Sequence, residues 1–521
     1  MRSKMPRTAR KRRPRRHARV QRGKTNTPTP CTTSLLSSSS SSSPSYTMER
    51  DFTVLFRIRP SFLSPTPPPL ITSSPPHTTT TVLEPRSSTA LSSSTPTHTP
   101  HTFTSDHCYL PDSATSTLYT YHIEPLIPFV LRGGYSTVLA YGQTGSGKTY
   151  TLSECSRLAI STLFSSNDGQ CSISIQAIEI YGKNKVNDLF DLSNARVLIA
   201  ENIAGSSTFS KTTTKTVSSA IEMLEEITAA WSQRITRGTE KNPTSSRSHA
   251  IIRIICTSTT DRNSTPGVLQ LVDLAGSERA ADHSPSSSKD PTRMSETVAI
   301  NTSLMTLKNC IRARTSPATA ANGSVPHIPF RSSKLTLALK EAFDLYSRQP
   351  THTVLIATAS PDAVDVAASL NTLRYADALV TSPHERIELK PDPQGRNVFF
   401  WSNERLAAWL AKYSPLGEEQ VQVVLDGMDG SRFAKIPEGE LCQRMGEASD
   451  GKMGEKEVKE VYLKWWKLVI ASRTLSQKAL ESEWKERQRE KVRREEQEVA
   501  ENEDVKRLLR LPAIASAPTT A

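Results

Sequence analysis

Gly142-Gln143-Thr144-Gly145-Ser146-Gly147-Lys148-Thr149 decides the fold. It follows Ser136-Thr137-Val138-Leu139-Ala140-Tyr141, an apolar, β-branched run that reads as a buried strand. The pattern is G-x-x-x-x-G-K-[ST] in its required setting of strand, glycine-rich turn and helix. The glycines let the backbone curl so that successive N–H groups point at phosphate oxygens. The helix after the loop turns the positive end of its dipole to the same anion. In this reading Lys148 reaches the β- and γ-phosphates, and the Thr149 hydroxyl ligates Mg²⁺. Gly142 through Thr149 are the candidate phosphate cradle.

Outward from the loop, strand and helix patterns alternate. Phe52 to Pro60 reads as a strand stopped by proline. Residues 61–101 are rich in Pro, Ser and Thr and predict a long surface excursion. Leu118 to Arg132 has helical spacing, ended by Gly133-Gly134. The helix after the loop is expected to reach about Phe164. Ser172–Tyr181, Ala250–Cys256, Val268–Val272 and Thr353–Ala359 predict strands, and 217–235 predicts a helix. The expected fold is therefore an α/β, three-layer P-loop NTPase domain with a central, mostly mixed sheet.

Two further stretches bear on the chemistry. Asn242-Pro243-Thr244-Ser245-Ser246-Arg247-Ser248-His249 is a hydroxyl-rich loop before a strand. Asp273-Leu274-Ala275-Gly276-Ser277-Glu278-Arg279 comes directly after a strand. An Asp at a strand's C-terminal end beside a phosphate loop can hold Mg²⁺ through water. A glycine three residues on lets a backbone N–H approach the γ-phosphate. Arg247 and Glu278 can pair across the two loops, making and breaking as the γ-phosphate comes and goes. Taken singly, the first stretch fits an N-cap serine cluster and the second a solvated acidic turn. Their order downstream of a phosphate loop favours the switch.

The 521 residues carry a net charge of +13, which misleads if read globally. Residues 1–24 hold 12 Lys and Arg, with no acid before Glu49, so the other 497 residues carry a net +1. Residues 1–47 are expected to be a disordered tail, with Arg10–Arg16 a dense cation block and seven serines at 37–43. Three readings of the tail stay open. It is a nuclear-import or polyanion-binding segment, a solvated tail with no specific partner, or a mitochondrial presequence lacking an apolar face. Met48 is a second candidate translation start. Seven cysteines lie far apart without C-x-x-C, which argues for free thiols and against a zinc site. No apolar run approaches the ~20 residues of a spanning helix, so no membrane partner is expected.

At these motifs the chain resembles a kinesin motor domain, over about residues 50–380. Tyr141–Thr149 is similar to the family's phosphate loop, Asn242–His249 to its first switch and Leu271–Arg279 to its second. Arg57, Arg59 and Pro60 resemble the R-x-R-P that embraces adenine. Tyr150 stands at the ring-stacking position, usually His. Ile300–Leu304 and Pro329–Thr336 resemble the relay helix and the track-facing motif. Glu179–Gly182, Thr292–Met294, Leu307–Ala313 and Leu370–Asp377 look most like the internal-motor class, which depolymerises microtubule ends. That class carries a Lys-Val-Asp tip, and the corresponding region, about 80–102, has none. Arg314–Val325 looks like an insertion.

The resemblance implies a microtubule-stimulated ATPase using ATP and Mg²⁺. It places Thr149, Ser246 and Asp273 around the metal, and Asn242 and Ser245 among the nucleotide contacts. Lys148 and Ser246 would neutralise γ-phosphate charge, Gly276 would sense it, and Glu278, linked to Arg247, would place the attacking water. The relay helix near Asn301 would then change affinity for tubulin. Arg331 and Lys334 would face the microtubule. The implied location is the cytoplasm, on microtubules or the spindle, with the nucleus open through the basic tail. A translocating plus-end motor and a low-turnover microtubule scaffold are the alternatives.

After the motor, 381–397 reads as a linker. Residues 398–471 hold apolar positions at helical spacing and resemble a sterile alpha motif, with Asp426–Gly430 as its inter-helix turn. A protein-contact role is expected there. Residues 472–521 are read as a charged helix and a disordered end. Within 473–510 stand 11 Lys/Arg and 10 Asp/Glu, laced at i,i+4, with heptads too poor for a long coiled coil.

Overall fold

The computed structural model describes residues 51–63, 70–85, 98–182, 185–191, 193, 197–202, 205–236, 247–261, 264–277, 291–315, 327–344, 349–380, 390–436 and 438–508. Every described element belongs to the unit Met48–Ala521. The chain runs β1 (Phe52–Ile58), β2 (Ile71–Ser74), β3 (Thr79–Pro85), β4 (His98–Thr104), β5 (His107–Tyr109), α1 (Thr115–His122), α2 (Leu126–Leu131), β6 (Tyr135–Gly142) and α3 (Lys148–Ser166). It continues with β7 (Cys171–Tyr181), β8 (Lys185–Asp188), β9 (Leu198–Glu201), β10 (Ser207–Ser210), β11 (Lys215–Val217), α4 (Ala220–Thr236), β12 (Ser248–Ser258), β13 (Gly267–Asp273) and α5 (Pro291–Thr315). Then come α6 (Lys334–Ala338), α7 (Lys340–Phe343), β14 (Thr351–Ala359), α8 (Val366–Asp377), α9 (Asn403–Tyr413), α10 (Glu418–Leu425), α11 (Gly430–Phe433), α12 (Glu438–Ala448) and α13 (Glu455–Leu508).

The main sheet has the order β11-β7-β12-β13-β6-β14-β1-β5, with β8 beside β7. The pairs β13–β6, β6–β14, β14–β1 and β1–β5 are parallel, whereas β12 runs antiparallel to both neighbours. Strands β6 and β13 are buried on both faces along their length, as central strands of a covered sheet must be. Alternation along β1 sorts its side chains between two cores. Val54, Phe56 and Ile58 join Leu304 of α5 and Leu370 of α8, while Leu55 joins Val138, Leu152 of α3 and Ile227 of α4. Helices thus cover both faces, giving the expected three-layer α/β fold.

This arrangement positions the phosphate loop. It leaves the C-terminal end of β6, where the neighbouring strands also end, with Asp273 of β13 level with Ala140 and Thr358 of β14 level with Gly142. Ligands of such sheets bind outside the carboxyl ends of the strands.

Several expectations need correction. The single helix over Leu118–Arg132 is two, α1 and α2, because Pro125 caps α2 and bars its preceding residue from continuing α1. The surface excursion at 61–101 contains an antiparallel sheet, β2-β3-β4, whose Ile71, Val82 and Phe103 enter the main core. Its threonines are β-branched strand formers rather than loop residues. Of the region about 80–102, where the Lys-Val-Asp tip was sought, residues 86–97 lie outside the described residues. Of the expected insertion Arg314–Val325, residues 316–325 lie outside the described residues, and Arg314 belongs to a helix. It sits in the last turn of α5, buried, and pairs with Asp51.

Beyond the motor, α9 to α13 enclose a core of their own with Val398, Leu406, Val424, Met445 and Trp465. Trp465 lies 5.0 Å from Phe433 and 5.2 Å from Trp409 between ring centres. The expected boundary at 471/472 falls inside α13, which runs unbroken for 54 residues. Ser472 and Ser476 of that helix are buried, receiving the Val398 N–H and the Asn397 side-chain amide at 2.9 Å each. This unit touches the motor through Arg432 on Asp261 (3.2 Å), Lys435 on Thr265 (2.7 Å) and Arg473 on the Asn202 carbonyl (3.3 Å). Among the described residues the six cysteines are free thiols, and no helix is long and apolar enough to cross a membrane.

One close approach fixes how α2 meets the sheet. A Cβ on Gly267, at the start of β13, would fall 1.7 Å from the Val130 carbonyl oxygen. Gly267→Ala is therefore expected to lower the unfolding free energy by about 1–3 kcal/mol. A denaturant titration that gives the wild-type midpoint would show that α2 shifts freely.

Candidate functional site

The phosphate loop has the predicted shape. Gly145 and Gly147 take φ of +77° and +99°, and Gly147 caps α3. Side chains with a Cβ are strained in that region. Ser146 donates to the Gln143 carbonyl (2.8 Å) and meets the Thr358 hydroxyl at 2.6 Å, tying the loop to β14. Lys148 is buried, and its ammonium donates to the Gly142 and Gln143 carbonyls at 2.9 and 2.8 Å.

The Thr149 hydroxyl donates to Asp273 Oδ2 at 2.7 Å, so two of the three sequence-predicted Mg²⁺ ligands meet. Arg234 of α4 donates to the same oxygen at 2.5 Å, and both side chains are about 1% exposed. The other carboxylate oxygen, Asp273 Oδ1, is buried without a hydrogen-bond partner. An orphaned anionic oxygen beside a hydroxyl and a phosphate cradle fits a hard cation with oxygen ligands such as Mg²⁺. The segment after β13 starts against the loop, since Ser277 N–H donates to the Gly142 carbonyl at 3.1 Å. That bond brings Gly276, which is buried, beside the phosphate loop.

Arg57 and Arg59 stand at the end of β1. Arg57 donates to the Thr115 hydroxyl at 2.6 Å and lies 5.8 Å from the Tyr150 ring centre. Arg59 pairs with Asp362 (2.7 Å) and Asp365 (3.3 Å) and also donates to the Pro60 carbonyl. Asn242, Ser245, Ser246 and Glu278 lie outside the described residues; Arg247 is half-buried at the start of β12. Arg331 and Lys334 are not part of this site. Arg331 forks onto Glu201 at 2.7 and 3.0 Å, and Lys334 donates to the Ile199 carbonyl at 3.2 Å, so both lie against β9.

Three participants escaped the sequence reading. Arg234 reaches Asp273 and, by two further donors, Ser248 Oγ (3.2 Å) and its carbonyl (2.6 Å). The signal was available: Met223, Ile227 and Ala230 mark the buried face of α4, and Arg234 continues it. Asp362 was passed over because its role needs the β1–β14 pairing. His249 is the third. Its Nδ1 accepts from the Ala275 N–H at 3.1 Å, which leaves the proton on Nε2 to donate to Ser303 Oγ of α5 at 2.8 Å. One neutral imidazole thus joins β12, the segment after β13 and α5.

Burial, reinforced by Arg234 and Lys148, pushes the His249 pKa down to about 3. Its unfolded value is about 6.5, so between the two the unfolded chain binds a proton that the folded chain refuses. The neutral-His stability is complete above about pH 6.5 and declines as pH falls towards 3. With His249→Asn, the loss of unfolding free energy between pH 7 and pH 5 is expected to shrink by about 2 kcal/mol. Urea titrations at the two pH values measure it, and an unchanged difference would mean that His249 protonates freely.

With the geometry in hand, comparison with known proteins is direct. A family model described as the kinesin motor domain matches residues 71–381. Diatom spindle kinesin-1 of Cylindrotheca fusiformis is 36% identical over 289 residues, covering 54% of this chain and 43% of that protein. Kinesin-like protein KIN-1 of Arabidopsis thaliana is 33% identical over 294 residues, covering 53% and 60%, and KIN-13B of the same plant is 34% identical over 289 residues, covering 53% and 40%. The matches span 28% to 60% of the length of the curated relatives. Among solved structures, the C-terminal motor and motor homology domain of Kar3Vik1, fused to a synthetic coiled coil, superposes with a TM-score of 0.53 at 26% identity, covering 64% of this chain and 86% of that one. The motor domain of a Kar3-like kinesin from Ashbya gossypii, at 24% identity and a TM-score of 0.51 over 63% and 99%, supports the fold alone. With the motor model matched across well over half its length, this chain belongs to the kinesin motor-domain family.

Proposed function

We propose that the chain is a microtubule-stimulated ATPase whose motor domain converts ATP hydrolysis into force on microtubules or into destabilisation of their ends. One observation carries the reading. The buried carboxylate of Asp273 touches Thr149 with one oxygen and keeps the other unpartnered, at the mouth of the phosphate loop.

In this mechanism the loop's backbone N–H groups and the α3 N-terminus bind the phosphates of ATP. Lys148 passes from the Gly142 and Gln143 carbonyls to the phosphate oxygens. Mg²⁺, when bound, neutralises charge on the β- and γ-phosphates. Thr149 and Asp273 would hold that cation, with Ser246 proposed as a third ligand. Arg234 keeps Asp273 in place from behind. Gly276 is proposed to sense the γ-phosphate, while Glu278, paired with Arg247, sets the attacking water. Asn242 and Ser245 are proposed to complete the nucleotide contacts.

Output runs through His249. Movement of the second switch at Ala275 pulls on an imidazole that also holds Ser303 of α5. Arg331, now paired with Glu201, and Lys334 are proposed to meet tubulin's acidic surface. Action at polymer ends, as in the internal-motor class, is the finer reading; translocation is the alternative, and the relatives span several kinesin types at 33–36% identity. The unit at 398–471 is proposed as a sterile-alpha-motif-like protein contact. Residues 1–47 are proposed to add a salt-dependent polyanion contact.

ATP turnover by the full chain, with and without stabilised microtubules, and polymer length in the same tube test the proposal. Stimulated turnover is expected, with Lys148→Ala lowering it by at least about 10²-fold. Shortening from the ends selects the depolymerising mode, and constant length selects translocation. Binding to microtubules without stimulated turnover would leave a scaffold.

A further inference from the structure

One serine in the small sheet β9–β10 is held by two buried charges. Ser207 is the first residue of β10 and pairs across the sheet with Glu201 of β9. Its N–H donates to Glu341 Oε1 at 2.5 Å, and its hydroxyl donates to Oε2 of the same carboxylate at 2.9 Å. Its carbonyl and hydroxyl oxygens accept from the Arg253 guanidinium at 3.2 and 3.1 Å. Ser207, Arg253 and Glu341 are each 5% exposed or less. Glu341 comes from α7 and Arg253 from β12, so the serine is fixed against two elements at once.

Stability alone does not call for charges here. A buried ion pair gains little over an apolar filling, because desolvation offsets the attraction. Arg253 Nε is also buried without a hydrogen-bond partner, which is a further cost. What the charges add is direction. Ile199 and Phe209 already seat the sheet on the apolar core. Its two strands have four residues each, and such a pair is marginal by itself. Apolar contacts leave it free to slide. The Glu341 carboxylate and the Arg253 guanidinium, the latter 3.8 Å from the Phe209 ring centre, stop that slide at Ser207.

The pair Ser207–Glu201 leads to the surface. Glu201 receives Arg331 in a fork at 2.7 and 3.0 Å, and Lys340 at 3.3 Å. Lys340 and Glu341 are neighbours in α7, so one short helix grips both members of the pair. That helix region is tied to the main sheet, since Gln270 of β13 donates to the Ala338 carbonyl of α6 at 3.3 Å. Arg331 itself is 74% exposed. An exposed arginine already held on a fixed carboxylate loses less freedom when an acidic partner arrives.

We propose that Arg253 and Glu341 are positioning residues for microtubule binding. Through Ser207 they fix Glu201, and through Glu201 they aim Arg331 at the acidic surface of the partner. Both are buried, so neither meets that partner directly. They set affinity for the microtubule and leave hydrolysis by the free chain alone. This inference rests on the proposed microtubule contact of Arg331.

Cosedimentation of the full chain with stabilised microtubules, beside ATP turnover in their absence, tests this. The double variant Arg253→Met/Glu341→Leu removes both charges together, so neither is left buried alone. It is expected to raise the Kd for microtubules about fivefold at unchanged basal turnover. Arg331→Ala is expected to raise the Kd to a similar extent. Adding it to the double variant is expected to raise the Kd little further, because residues in one network are not additive. Ser207→Ala keeps both charges and removes the hydroxyl that they share. It is expected to give a smaller rise, again absorbed by Arg331→Ala, and this second cycle decides if the double variant does not fold. The proposal is overturned if the rises multiply, because the buried charges then act independently of Arg331. It is also overturned if the variants bind like the wild type, or if basal turnover falls with affinity. A wild-type chain that does not pellet with microtubules would overturn the microtubule reading itself, a result distinct from a loss confined to the variants.

Discussion

The buried carboxylate of Asp273 is the joint on which the rest depends. Its Oδ2 takes hydrogen bonds from Thr149 at the head of α3 and from Arg234 near the end of α4. Arg234 in turn clasps Ser248, the first residue of β12. Four elements that share no local sequence are thereby held at one point. A buried ion pair is weak support for stability in itself, because desolvation offsets most of the attraction. Its value is specificity: with one partner removed, a buried charge is left uncompensated, so the competing arrangements of α4 and β13 are penalised.

From that joint the connections run in two directions. Towards the nucleotide side, Ser277 and Ser146 tie the second switch and β14 to the loop. Towards the far side, His249 carries the link to α5. Polar bonds are suited to this task because they are directional and have discrete alternatives, whereas apolar contacts slide. The imidazole can serve only while neutral, since a second ring proton would face the Ala275 N–H with no acceptor. The core that surrounds it enforces that state.

Much of this could be read along the chain, and the remainder fails for identifiable reasons. Gly142–Thr149, Asp273 and Gly276 are legible because phosphate chemistry demands those residue types at short spacing. The strands β6, β12, β13 and β14 are legible because burial on both faces makes them continuous apolar runs. Arg234 is not, because an arginine at a core position has no meaning until its partner, 39 residues on, is placed opposite. The sheet β2-β3-β4 is hidden by composition, since Ser and Pro around its threonines mimic a loop. The break between α1 and α2 was written in Pro125, but continuous apolar spacing across it argued the other way. Asn242, Ser245, Ser246 and Glu278 rest on motif alone.

Helix α13 has a geometric consequence. It begins inside the packed helical unit, where Trp465 and Val469 are core residues, and continues as one helix to Leu508. Among the described residues, Ser476 is its last to accept a bond from the start of that unit, from the Asn397 side chain. From there 32 residues remain to Leu508, a rod of about 48 Å at 1.5 Å per residue. A rod has no elbow. Leu508 is therefore held at a set distance from the helical unit, and a small rotation of that unit is magnified into a sweep at the far tip.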